Sequence, residues 1–199
     1  MRLFFAVEIP DDFRAKILVA QTRLAASLPP KGFRLVKPGM LHVTLAFLGD
    51  VAETALPELK RLAEELCASA SASDLVFEGI GCFPAWKHPR VLWIGVEEAG
   101  FQPFAQEAPL ARLGLQLAAA CMHLSGHKPE DRVLLHVTLA RSGEKLTKAQ
   151  MREVGERVAA ETWTGFGETK ADTVVLYEST LGHAGPVEHR PIARFPLKS

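Results

Sequence analysis

The six-residue string Leu-His-Val-Thr-Leu-Ala occurs twice in this chain, at 41–46 and again at 135–140. In a chain of 199 residues chance gives such a repeat roughly once in a thousand sequences or less. Both copies alternate in polarity. Leu41, Val43 and Leu45 fall on one side of an extended backbone, with His42 and Thr44 on the other. In the second copy Leu135, Val137 and Leu139 oppose His136 and Thr138. Successive side chains of a strand point to opposite faces. Each copy therefore predicts a strand with an aliphatic core side and a His-Thr side, and the fold has to accommodate that strand twice.

The sequence around each copy supports an approximate duplication. Residues 51–70 and 144–161 each follow a copy and read as helices, the second with Thr147 as N-cap. Strands are expected at 74–83 and 90–97 after the first helix, and at 171–180 and 190–197 after the second. A helix over 103–120 has its counterpart at 11–28, at the other end of the chain, where Asp11 or Asp12 is the expected cap after a strand at 2–9. The order strand, helix, strand, strand, helix is thus shared but circularly offset. The expected architecture is α+β and bilobal. Two pseudo-symmetric lobes, each an antiparallel sheet plus helices, flank a central cleft, with residues 1–199 as one two-lobed domain.

Composition narrows the function. Lysines and arginines number 23, as do aspartates and glutamates. A neutral chain has no global field to hold long nucleic acid, so any such contact is local. Cys67, Cys82 and Cys121 form no close pair, which predicts buried thiols and a reducing compartment. The opening "MRLFFAVEIPDDF" turns acidic after a short apolar run. It is too short for a signal peptide or a membrane span, so a cytoplasmic protein without a membrane partner is expected.

Two His-x-Thr faces brought together supply two imidazoles and two hydroxyls around one small volume. One imidazole accepts a proton while the other donates one. Hydroxyls donate to the oxygens of a tetrahedral anion. Arg141, three residues after Thr138, adds a fixed cation, whereas the first copy has Phe47 at that offset. This is equipment for in-line displacement at phosphorus: His42 and His136 as the catalytic pair, Thr44, Thr138 and Arg141 as the phosphate-binding set. No metal and no cofactor are expected.

The motifs "HVTL" at 42–45 and 136–139 resemble those of the two-histidine phosphoesterase superfamily. The stretches "MRLFFAVEIP", "HVTLAFLGD", "GCFPAWKHPRVLWIGV", "HVTLAR" and "LYESTLGHAGPVEHRPIARFPL" extend that likeness along nearly the whole chain. They resemble the bacterial and archaeal RNA 2′,3′-cyclic phosphodiesterases, also named 2′-5′ RNA ligases. The resemblance implies metal-independent opening of RNA 2′,3′-cyclic phosphate ends, or of cyclic nucleotides, to 2′-phosphomonoesters; a monomer is the expectation, though the sequence itself leaves the oligomeric state open. It carries His42 and His136 over as catalytic; His42 is taken here as the acid on the 3′ side and His136 as the base for water, an order that the two near-identical motifs leave open. Thr44, Thr138 and Arg141 carry over as phosphate ligands. One departure is visible: the family often has Tyr six residues before the closing Phe-Pro-Leu, where this chain has His189.

Other readings compete. The same site runs backwards as a 2′-5′ ligase. An RNA-binding module with a disused site, or a two-histidine metallophosphatase, are further alternatives. The last needs carboxylates near the histidines, and only Asp50 is close in sequence. His123 and His127 have a zinc-like spacing, but Gly126 and Pro129 predict loop histidines. His88 and Arg90 are candidate substrate contacts or a solvated turn. Phe83 and Trp86 are candidate base-stacking residues, and Phe83 and Trp93 equally fit a core. His183 sits in a glycine-bounded loop and carries no assignment.

Overall fold

Two half-sheets meet where the two copies of the repeat lie side by side. The computed structural model describes residues 1–143, 146–180 and 187–199. Its strands are β1 (Arg2–Glu8), β2 (Phe33–Leu35), β3 (His42–Asp50), β4 (Ser73–Phe83), β5 (Val91–Glu98), β6 (His136–Ser142), β7 (Gly167–Ala171), β8 (Thr173–Thr180) and β9 (Glu188–Pro196). Its helices are α1 (Asp11–Ala26), α2 (Leu56–Ser69), α3 (Pro109–Ser125) and α4 (Lys148–Ala159). The strands join in the order β7-β4-β5-β6-β3-β1-β8-β9, with β2 added to β6. All named pairings are antiparallel.

The repeat strands β3 and β6 are central neighbours, bridged at Val43 and Val137. A pseudo-twofold through that bridge exchanges β3 with β6, β1 with β5, β8 with β4 and β9 with β7. The α+β, two-lobed architecture is therefore as expected, including the circular offset. One strand equivalence differs. The place corresponding to β5 is taken by β1, not by β9, because β1 slots between β3 and β8.

One side of the sheet is covered by helices. Leu41, Val43, Leu45, Leu135, Val137 and Leu139 are all buried there in the main core. Gln21 of α1 is buried, and its side-chain amide donates to the carbonyls of Val36 (2.8 Å) and Leu139 (2.9 Å). This pins α1 behind the second repeat strand with both amide hydrogens used. Phe13 of α1 packs on Phe77 of β4, ring centroids 4.5 Å apart. The carboxylate of Glu98 is buried and accepts from the amides of Leu110 and Ala111 at 2.9–3.1 Å, closing the start of α3.

Helix limits show where local sequence misleads. Thr147 does cap α4: its hydroxyl accepts from the Gln150 amide, and the Gln150 side chain accepts from the Thr147 amide. Neither Asp11 nor Asp12 caps α1. Both lie in its first turn, Asp11 paired with Arg14, and Pro10 holds the cap position. Helix α3 begins at Pro109 and runs to Ser125, so His123 is helical rather than in a loop. The Gly126 amide then closes on the Met122 carbonyl (2.9 Å), which leaves His127 outside. Cys67 and Cys121 are buried and Cys82 is partly buried, and burial pushes all three thiols up, to about 12 at Cys67 and about 11 at the others. No helix among the described residues is long and apolar enough to cross a membrane.

Candidate active site

The side of the sheet away from the main core carries the two His-Thr faces. Extending the antiparallel register about Val43 and Val137 puts His42 across from Thr138 and Thr44 across from His136. The imidazoles thus sit diagonally across the seam, a relation that spans roughly 7–8 Å in an antiparallel pair. All four residues are partly buried.

Each imidazole is anchored in the same way. His42 Nδ1 lies 2.8 Å from the carbonyl oxygen of Met40, and His136 Nδ1 lies 2.6 Å from that of Leu134. A carbonyl only accepts, so each Nδ1 carries the hydrogen and donates it. The Nε2 atoms are thereby left as the proton-exchanging positions of both rings. The partner is two residues upstream in each copy, so the duplicated sequence duplicates the tautomer as well.

The packing around the two rings is not equal. His42 lies against Phe4 (5.0 Å between centroids) and edge-on to His189 (5.2 Å). Phe4 in turn stacks on Tyr177 at 5.3 Å. The Tyr177 hydroxyl donates to Glu8 (2.5 Å), and Arg194 also donates to Glu8 (Nη2, 2.9 Å). On the other half, His136 packs edge-on to Phe83 (5.2 Å) and against Trp93 (5.8 Å).

Burial pushes His42 down to about 4, opposed by the Met40 carbonyl and reinforced by His189, His136 and Arg141. His136 is lowered by burial and by Arg141, with the Leu134 carbonyl and Glu130 acting upward. Both rings are thus neutral at pH 7 in the free protein. An anion beside either ring would favour its protonated form.

Arg141 is next to last in β6 and is exposed. The equivalent residue of the first copy, Phe47, is covered by the Arg2 guanidinium at 5.0 Å and by the edge of His127 at 5.4 Å. Of the residues weighed for base stacking, Phe83 lies beside His136, whereas Trp86 packs against the main core. Trp93 belongs to the site face rather than to that core. His88 and Arg90 line one groove together with Arg141. His183 lies outside the described residues. Sequence reasoning missed Phe4, Tyr177 and the approach of His189 to His42. The departure at His189 was the one signal for the last.

Known proteins resemble this chain along most of its length. Residues 7–93 match the family model described as LigT like Phosphoesterase. The chain is 32% identical over 187 residues to the RNA 2′,3′-cyclic phosphodiesterase of Archaeoglobus fulgidus, covering 94% of this chain and 96% of the relative. It is 33% identical over 197 residues to the protein of that name from Escherichia coli, covering 98% and 96%. Among solved structures, TT0787 of Thermus thermophilus superposes with a TM-score of 0.78 at 29% identity, covering 100% of this chain and 98% of the other. Escherichia coli LigT complexed with 3′-AMP gives 0.69 at 26% identity, with the same coverage.

Proposed function

We propose a reaction from the premise that this chain belongs to the RNA 2′,3′-cyclic phosphodiesterase family of LigT-like phosphoesterases. It hydrolyses RNA 2′,3′-cyclic phosphate ends, or the corresponding cyclic nucleotides, to 2′-phosphomonoesters. The observation that carries this reading is the pair of Nε2 positions set by matching Nδ1–carbonyl anchors on adjacent antiparallel strands.

In the proposed step a water oxygen attacks phosphorus in line with the 3′ oxygen. The P–O3′ bond breaks as the P–O bond to water forms. One histidine takes the proton from water and the other gives its proton to O3′. Thr44, Thr138 and Arg141 hold the non-bridging oxygens as charge collects on them. Two imidazoles complete the proton transfers, so the step is written without a metal ion, for a monomer.

The direction of proton flow has its own test. Taking His42 as the acid requires the bound phosphate to put a proton on a ring that burial pushes down to about 4 in the free protein. A substrate with an activated 3′ leaving group restores a variant that lacks the acid and not one that lacks the base. Restoration of His42→Ala supports the assignment, and restoration of His136→Ala exchanges the roles.

The deciding experiment for the reaction is incubation with an oligoribonucleotide ending in a 2′,3′-cyclic phosphate, followed by end-group analysis. A 2′-phosphate is expected, with undiminished turnover in EDTA. An unopened cyclic end refutes the reading, a 3′-phosphate reverses the pose, and loss of activity on chelation refutes the metal-free step. Ligation is the same step reversed, with a 5′-hydroxyl in place of water. Joined strands as the main product would make it the principal activity.

A further inference from the structure

We infer that the groove lined by Arg141, Arg90 and Lys148 holds the strand on the 5′ side of the cyclic end. The inference rests on the proposed cyclic-phosphate reaction and adds the chemistry of the remainder of the substrate. The groove has a volume of about 750 Å³, within the ~300–1,000 Å³ of small-ligand sites. Its walls are the connection between β4 and β5 and the first turns of α4. They are held together where the Trp86 carbonyl rests on α4 at Gly155, a position at which a Cβ would come within 1.8 Å of that oxygen.

The charge of this groove is unlike that of the chain as a whole. Arg90, Arg141 and Lys148 line it together with His88, and its described lining residues include no carboxylate. The full chain is formally neutral. Arg90 and Lys148 are exposed, as suits side chains that meet backbone phosphates at a solvated wall. Pro84 and Met151 add an apolar surface on which a base face can lie.

Among the described residues the opposite half is charged differently, with Arg2 lying over Phe47. Where the pseudo-twofold would repeat Arg141 there is Phe47, and the arginines of β9 are committed to carboxylates, Arg190 to Glu178 and Arg194 to Glu8. A cyclic end seated between the histidines leaves only one direction for the chain, through its 5′ oxygen. The cations that line the groove with Arg141 mark that direction.

The test compares two substrates on Arg90→Glu, Lys148→Glu and the double variant. One is a 2′,3′-cyclic mononucleotide and the other a hexaribonucleotide with the same cyclic end. For the hexamer each single reversal is expected to raise KM about fivefold or more, and the double variant to raise it further. For the mononucleotide kcat and KM should stay within about twofold. Replacing both cations by Ala should lower the slope of log Kd against log salt by about 1.4, at about 0.7 per lost single-strand phosphate contact. Kd is read by fluorescence anisotropy on the 2′-phosphorylated hexamer, a measurement that does not depend on turnover. Absence of turnover on both substrates would refute the reaction while the anisotropy still decides the groove. An unchanged hexamer Kd and KM, or an equal loss on the mononucleotide, overturns the inference.

Discussion

A single methyl group at Gly81 is expected to disable the site through Trp93. Gly81 pairs with Trp93 across β4 and β5. The indole lies so flat on that glycine that an added Cβ would come 2.1–2.5 Å from three of its ring carbons. Carbon atoms in contact prefer about 3.5–4.0 Å, so the ring has to move by roughly 1.5 Å. Trp93 is boxed in by Phe83 at 5.2 Å and His136 at 5.8 Å. It therefore moves toward the histidine or the open cleft. Overpacking of this kind costs about 1–3 kcal/mol of stability. Displacement of a proton-transfer group by about 1 Å costs on the order of a hundredfold in rate. Gly81→Ala should thus fold, melt lower, and lose about 10- to 100-fold in kcat/KM on a 2′,3′-cyclic nucleotide. Shortening the ring in Gly81→Ala/Trp93→Leu should recover part of that loss. Wild-type kcat/KM and wild-type melting in Gly81→Ala would refute the argument that the glycine sets the position of Trp93 and, through it, of His136.

Four further outcomes are expected. His42→Ala and His136→Ala should each lower turnover by about 10²–10⁴-fold with the fold intact by circular dichroism, and the double variant should lose far less than the product; near-full activity in either removes that histidine from the step. Arg141→Ala, Thr44→Val and Thr138→Val should each cost about 1.5–3 kcal/mol of transition-state stabilisation, read as kcat/KM. The pH profile of kcat/KM should be a bell on the acid side of pH 6.5, because burial drives His42 to about 4 and lowers His136 as well. Above both values no imidazole can donate, and below both none can accept. The alkaline limb of kcat should lie higher, since bound phosphate favours the imidazolium, and a kcat/KM still rising at pH 8 contradicts this. Gln21→Leu should lower stability by about 1–3 kcal/mol in a urea titration, since the Val36 and Leu139 carbonyls lose a buried donor.

What the sequence discloses is what period two discloses. The alternation in both copies of the repeat placed four polar side chains on one face and six aliphatic ones in the core. Two identical faces left little freedom over where they would meet. Strand β7 escaped because "GETKA" has no apolar alternation; it is a strand by virtue of its pairing with β4. The carbonyls of Met40 and Leu134 have no side-chain signature, so the anchoring of the imidazoles was invisible. His189 and Trp93 reach the site through pairings with Ser179 and Thr138, and no local pattern reports a cross-strand neighbour. The start of α3 was misread because its cap comes from Glu98, beyond the reach of a capping signature in the helix itself.

The placement of β1 bears on how the protein is made. Leu3 pairs with Glu178 and Val7 with Val174, so β1 waits on that edge for a strand made much later. Its own neighbour β3 arrives early, yet His42 gains the His189 side of its surroundings only when β9 has been synthesised. Closing so long a loop precedes any reward from the contacts it brings, which slows folding and lengthens exposure of the apolar strand. Until β8 is made, the edge of Leu3–Val7 that faces it stays unpaired. A chain lacking β8 and β9 presents that edge to a chaperone or to another copy of itself, and it lacks the His189 side of the His42 surroundings.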